Sequence, residues 1–64
     1  MRILIDNKKI MIVGDDEAEI SVCDINGKMM GRSIGEYDTS SLSQGIYIIM
    51  VNSNKGKTVK KIVI

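Results

Sequence analysis

The stretch that decides the fold is Asp38-Thr-Ser-Ser-Leu-Ser-Gln-Gly-Ile-Tyr-Ile-Ile-Met-Val51. In it, a serine-rich run gives way at Gly45 to six consecutive apolar residues, Ile46 to Val51. A short apolar run that follows turn residues and is rich in β-branched side chains predicts a strand, extended here to Asn52. Because no polar residue interrupts the run, this strand is predicted to be covered on both faces and central. Leu42 is the one large apolar residue of the serine run, so it is predicted to close one end of the core.

A second strand and turn lie upstream, in Ile20-Ser-Val-Cys-Asp-Ile-Asn-Gly-Lys28. Apolar and polar residues alternate along its first half, which is typical of a strand with one buried face. Asn26-Gly27 predicts a hairpin with a type I′ turn, because both residue types tolerate the left-handed backbone that this turn needs. The following residues are then predicted to return antiparallel.

The same reasoning along the whole chain predicts an all-β fold of about six strands, with no helix. The predicted strands are Ile3 to Ile5, Lys9 to Val13, Ala18 to Ile25, Lys28 to Ser33, Ile46 to Asn52 and Lys57 to Ile64. Residues 34–45 form the one long connection, which is expected to carry the chain between the two sheets of a small antiparallel sandwich. With 64 residues, the chain is predicted to be a single domain, 1–64.

The composition argues against catalysis and against a bound cofactor. Histidine, the commonest general base and metal ligand, is absent. The lone cysteine, Cys23, cannot form an internal disulfide and has no histidine partner to activate it. Asp15, Asp16 and Glu17 are adjacent, whereas calcium loops alternate their ligands, so solvated turn acids are the favoured interpretation. The sequence therefore predicts no enzyme, no metal and no cofactor.

Charge is distributed unevenly although the net charge is only +1, a value that gives no reason to expect nucleic-acid binding. Residues 1–38 hold eight acidic and five basic residues, and residues 39–64 hold four lysines and no acid. The lysines are Lys55, Lys57, Lys60 and Lys61. A basic terminal strand could contact phosphate or an anionic polysaccharide, or its lysines could simply keep an edge strand from aggregating. The second interpretation is favoured.

In their order and spacing these phrases resemble the C-terminal sorting domain of proteins exported by the type IX secretion system of Bacteroidetes. The resemblance runs from about Ala18 to Ile64 and rests on three groups of residues. Asp24, Asn26, Gly27 and Lys28 match the family's turn; Leu42, Gly45 and Tyr47 match its Ser-Leu-x-x-Gly-x-Tyr phrase; Lys60, Lys61, Ile62, Val63 and Ile64 match its basic, apolar last strand.

The resemblance implies an immunoglobulin-like β-sandwich that acts as an address label and has no catalytic activity. It implies that a cargo domain precedes this one, that the outer-membrane translocon recognises residues 60–64, and that a cell-surface peptidase removes the domain. Localisation would be the periplasm in transit and then the cell surface or medium. The start Met-Arg-Ile-Leu-Ile is too quickly polar for a signal peptide, so the export signal is expected outside this chain.

An immunoglobulin-like accessory or interaction module of a surface protein, without sorting activity, is the alternative function. Six strands are also one fewer than the family's usual seven, so the predicted sandwich is truncated and leaves an edge uncovered. The isolated domain is therefore predicted to self-associate by edge pairing or strand exchange.

Overall fold

The computed structural model describes residues 2–6, 8–15 and 17–64. Seven strands form in these residues: β1 Arg2–Asp6, β2 Lys9–Val13, β3 Glu19–Asp24, β4 Met29–Ile34, β5 Glu36–Asp38, β6 Ile46–Ser53 and β7 Gly56–Val63. The six predicted strands are all present, with ends that differ by at most one residue. The described part of the chain offers no helix with the length and apolar character to cross a membrane.

The strands form two antiparallel sheets that pack face to face. One sheet has the order β1-β2-β5 and the other has the order β4-β3-β6-β7. All five strand pairs are antiparallel. The all-β sandwich predicted from the sequence is therefore confirmed, and its arrangement is compatible with an immunoglobulin-like fold.

The core lies between the sheets and is mainly aliphatic, since the chain has no Phe or Trp and only two tyrosines. Its buried members are Ile10 and Ile12 of β2, Ile20 and Val22 of β3, Tyr47, Ile49 and Val51 of β6, Ile62 of β7, and Ala18 just before β3. Leu42 packs against this cluster from the loop before β6, as predicted. Burying each large side chain contributes about 1.5–3 kcal/mol, which is how so short a chain offsets its conformational entropy.

The prediction that β6 is covered on both faces is wrong. Burial alternates along β6, and on its outer face Ile48 and Met50 are half-buried while Ile46 is 43% exposed. The strand buried on both faces is instead β3, whose outer residues Ser21 and Cys23 are only 8% and 9% exposed. Both are small and lie between longer side chains of the neighbouring strands, which explains their burial without a covering layer.

The connection 34–45 contains a strand that was not predicted from the sequence, so the described residues form seven strands rather than six. At Gly35 (φ +80°) the chain leaves the four-stranded sheet, and β5 then pairs with β2 in the other sheet. The backbone N–H of Gly35 donates to the carbonyl of Ala18 (2.8 Å), and its carbonyl accepts from the N–H of Ile12 (3.0 Å). Gly35 thus links β2 to the segment before β3 by hydrogen bonds at the point where the chain crosses between the two sheets.

Tyr37 of β5 packs against β4, an edge strand of the four-stranded sheet, on the face that points to the core. Its ring packs on Gly31, where an added Cβ would collide with the tyrosine hydroxyl and lie 3.1 Å from ring carbons Cε2 and Cζ. Tyr37 pairs with Ile10, a fully buried core residue of β2. The flank formed by β4 and β5 is therefore closed by a side chain that only a glycine admits.

Candidate recognition surface

The residues singled out at the end of the chain lie on or next to β7, an edge strand of the four-stranded sheet. Their side chains alternate between the two faces of the sheet. Ile62 is buried at 7% exposure and Ile64 packs against the core, whereas Lys61 and Val63 lie on the outer face and are exposed. Lys60 is on the core side but is exposed beyond its rim. The group thus has two anchoring members and three that are available to a partner.

Among the residues that the structure describes, half of the peptide groups of β7 point away from β6 and have no strand beside them. Gly45 and Ile64 exchange two backbone hydrogen bonds, with N···O distances of 3.0 and 2.8 Å. Directly opposed antiparallel pairs alternate between hydrogen-bonded and non-hydrogen-bonded, so residues 62, 60, 58 and 56 also bond to β6. The N–H and C=O groups of residues 57, 59, 61 and 63 point the other way. They form a regular row along the free edge.

A cleft of about 270 Å³ lies beside this edge, on the flank where β1 and β7 end the two sheets. It is lined by Ile5, Lys8, Thr39, Ile62, Val63 and Ile64. Ile5 is directly opposite the buried Ile10 and so lies on the core side of β1, yet it is 48% exposed. The hydrophobic core is therefore incompletely covered on this flank.

Thr39 forms the floor of the cleft and was not predicted from the sequence. It is 2% exposed, its hydroxyl donates to the Lys8 carbonyl (2.6 Å), and its N–H donates to the same carbonyl (2.8 Å). Lys8 has a left-handed backbone (φ 66°) between β1 and β2, and Asn7 before it lies outside the described residues. A threonine within a serine-rich loop carries no sequence signal for burial, which is why it was missed.

The predicted turn at Asn26-Gly27 exists, but it is not type I′. Gly27 has a left-handed backbone (φ +86°), whereas Asn26 does not. The N–H of Gly27 donates to the Asp24 carbonyl (3.0 Å), and the N–H of Asp24 donates to the Lys28 carbonyl (2.9 Å). This is the three-residue hairpin in which a type I turn is followed by a glycine bulge.

Asp24 explains the preference for the longer turn. Its carboxylate accepts from the N–H groups of Asn26 and Lys28, both at 2.9 Å. An aspartate that caps its own turn favours the type I geometry, which the Asn-Gly pair alone does not specify.

The strand-entry phrase contributes to the same end of the sheet. The Tyr47 hydroxyl donates to the Ser43 carbonyl (2.8 Å) and holds the serine-rich loop against β6. Gly45 does not have a positive φ, and a Cβ there would make only an ordinary contact with Tyr47 at 3.8 Å. Its role is to extend the β6–β7 ladder by pairing with Ile64.

Strand register brings the three matched phrases together. Asp24 on β3 is opposite Tyr47 on β6, and Tyr47 is opposite Ile62 on β7. These three residues form one row across the sheet, near the end where the chain finishes. Residues that are far apart in the sequence therefore form one continuous structural unit.

A polar pocket at the opposite end of the sandwich contains two of the three predicted turn acids. It is lined by Asp15, Glu17, Asn52, Ser53 and Asn54, and Asp16 lies outside the described residues. The Asp15 carboxylate accepts the N–H of Glu17 (3.1 Å), as turn acids commonly do. Within residues 2–6, 8–15 and 17–64, no cluster of metal-ligating side chains is found.

Comparison with known proteins identifies one family. The sequence profile described as the secretion system C-terminal sorting domain matches residues 5–64, which is nearly the whole chain. Neither the curated proteins nor the solved structures contain a match.

Proposed function

This chain belongs to the family of secretion system C-terminal sorting domains, and from that membership we propose how its residues act. The domain is the sorting signal of a type IX secretion cargo, which is exported to the cell surface or the medium. In our proposal, the outer-membrane translocon recognises the exposed residues of the terminal segment, Lys60, Lys61 and Val63. Ile62 and Ile64 anchor that segment to the core.

The observation that carries this assignment is the free edge of β7. A recognition strand must offer groups that its own fold does not use, and residues 57, 59, 61 and 63 present such N–H and C=O groups in a regular row. Asp24, Asn26, Gly27, Lys28, Leu42, Gly45 and Tyr47 then have a structural role, since they set the register of the strands beside β7.

The domain, residues 1–64, follows a cargo domain, passes through the periplasm as one folded unit, and is removed by a surface peptidase. It has no catalytic activity, which accords with the absence of histidine and the isolation of Cys23 in β3.

Export of a reporter protein tests the proposal. A periplasm-directed fluorescent protein would carry residues 1–64 at its C-terminus, in a bacterium with a working type IX system and in a translocon-deficient strain. We expect translocon-dependent appearance at the surface or in the medium. Retention of a folded reporter in the periplasm of both strains would instead favour the alternative, an accessory or interaction module.

A matched pair of variants tests the residues. Val63→Asp changes a side chain that is 79% exposed on β7, and Ile25→Asp changes one that is 64% exposed in the β3–β4 turn. Neither substitution removes core contacts, so both domains should fold. We expect Val63→Asp to abolish or strongly reduce export and Ile25→Asp to leave it unchanged. Equal export by both variants would contradict a role for the terminal strand.

A further inference from the structure

Each sheet of the sandwich has an edge strand on the same flank, and this flank has an apolar cleft and a row of lysines along β7. β1 ends the three-stranded sheet and β7 ends the four-stranded sheet, with the cleft lined by Ile5, Ile62 and Ile64 between them. No acid occurs in residues 39–64, which include the lysines of β7. The apolar cleft and the basic strand together indicate which side chains a partner of this flank should carry.

We propose that β7 binds an extended segment of a partner polypeptide as an added antiparallel strand, and that this segment is apolar at its start and acidic further along. The inference rests on the proposed function, because it names the chemistry of the partner that reads the same strand. Antiparallel addition is favoured because it gives the more stable ladder.

The backbone supplies the affinity of this complex. A strand added to β7 can exchange paired N–H···O bonds with residues 57, 59, 61 and 63, whose peptide groups point away from β6. The row has no proline and no bulge along the eight residues of β7. Such a long, regular edge is the type of surface to which extended peptides add.

The side chains of β7 supply the specificity. Cross-strand neighbours lie on the same face, so each partner residue meets the β7 residue directly opposite. Opposite Ile64, Val63 and Ile62 the partner should be apolar, and the cleft can take the two inner side chains. Opposite Lys61, Lys60 and Lys57 it should be acidic. In the N-to-C direction, a matching strand reads Val-Val-Leu-Glu-Glu-Val-Thr-Glu.

A second copy of this chain fits the edge less well than such a partner. Pairing β7 with another β7 would bring lysines close to lysines, and like charges on neighbouring strands are destabilising. The described residues also form seven strands, so the prediction of self-association loses its premise that one of the family's seven strands is absent.

Peptide binding to the 64-residue domain tests the inference. The probe is the fluorescently labelled eight-residue peptide above, and its dissociation constant is measured by anisotropy. Two N-methylated forms serve as a matched pair. One is methylated at the amides opposite Val59 and Lys61, which should donate to β7, and the other at the amides opposite Lys60 and Ile62, which should point away.

We expect the first form to bind at least about tenfold more weakly, because it loses two backbone hydrogen bonds. The second should bind within about twofold of the unmodified peptide. Val59→Pro in the domain should weaken binding similarly, since it removes an N–H that the fold does not use. Equal binding by both methylated forms would show contact through charge alone and would overturn the inference.

Charge exchange tests the register. Lys61→Glu should weaken binding about three- to tenfold, and Arg32→Glu, on the opposite edge of the same sheet, should change it by less than about twofold. A peptide with lysine in place of the glutamate opposite position 61 should restore binding to Lys61→Glu. Failure of this rescue would overturn the proposed pairing.

The two proposals fail in distinguishable ways. Translocon-dependent export without measurable peptide binding would overturn the added strand and leave the sorting function intact. Self-association of the domain that Val59→Pro abolishes, with no binding of the peptide, would identify a second copy as the occupant and overturn the acidic partner. Binding of a plain polyglutamate peptide as tightly as the designed one would overturn it as well.

Discussion

The two edges of the four-stranded sheet, β4 and β7, differ in how they are protected. β4 is interrupted by a bulge opposite Val22 and Cys23, and Tyr37 of β5 packs across it at Gly31. β7 runs for eight residues without a bulge, and its flank opens into the cleft beside Ile5. The bulge and Tyr37 therefore block strand addition at β4, whereas at β7 mainly the charge of the lysines opposes it.

The difference shows which edge the molecule keeps available. A bulge and a covering side chain prevent strand addition geometrically, and they act against every partner. Lysine charge discourages neutral and basic strands but attracts acidic ones. An edge protected in this way is selective, which suits a sorting domain that must interact with the secretion machinery without aggregating.

Proline substitution at adjacent positions of β7 should give the largest effect. Lys60→Pro removes an N–H that bonds to β6 and leaves the carbonyl of the fully buried Ile49 unpaired, so we expect a loss of about 3 kcal/mol in the free energy of unfolding. Lys61→Pro removes an N–H on the free edge and should cost less than about 1 kcal/mol.

Urea unfolding followed by circular dichroism measures both variants. Each variant loses one lysine, so the two are matched in charge and differ in which edge of the strand loses its N–H donor. If the two free energies of unfolding fell by similar amounts, the hydrogen-bond phase assigned to β7 would be wrong.

A methyl group at the closed edge should have an intermediate effect. Gly31→Ala places a Cβ against the ring of Tyr37, and we expect about 1–3 kcal/mol of destabilisation because the ring must move. The control is Gly45→Ala, where the added Cβ meets only Tyr47 Cε2 at 3.8 Å. The control should be neutral within about 0.5 kcal/mol.

Thermal unfolding of the two alanine variants provides the comparison. Replacing Tyr37 by Phe in the Gly31→Ala background removes the hydroxyl that collides with the new Cβ, so it should recover part of the lost stability. Similar melting temperatures for Gly31→Ala and Gly45→Ala would mean that the β4 edge is not closed by this contact.

Most of the fold could be predicted because local pattern and tertiary structure agree along most strands. Alternation predicted β3, and the apolar run predicted β6. β5 could not be predicted, since three residues with two charges carry no strand signal and become a strand only by pairing with β2. The turn type was also missed, because the Asp24 carboxylate outweighs the intrinsic preference of Asn-Gly.

Only part of the candidate site could be predicted from the sequence. The basic, apolar segment 60–64 could be found by its composition, but its free edge depends on which strand pairs with β6 and in which phase. The cleft depends on Ile5 and Thr39, which meet β7 only after the sheets pack. The free edge and the cleft are therefore set by tertiary contacts between distant segments, which the sequence pattern does not reveal.

The smallest effect concerns acid stability at the closed flank. The N–H of Ser40 donates to the Asp38 carboxylate (2.9 Å), and this bond, with the Ser40 side chain and the charge of Lys9, lowers the pKa of Asp38 below its usual 3.8. A lowered folded-state pKa stabilises the fold above the unfolded value, and the contribution is lost as the pH falls through the folded pKa. Asp38→Ser keeps an oxygen acceptor but cannot titrate, so its stability should fall less steeply below about pH 4. Urea midpoints between about pH 6 and pH 2 measure this difference, and parallel curves for the two proteins would show that Asp38 contributes nothing to the acid sensitivity of the β5 end.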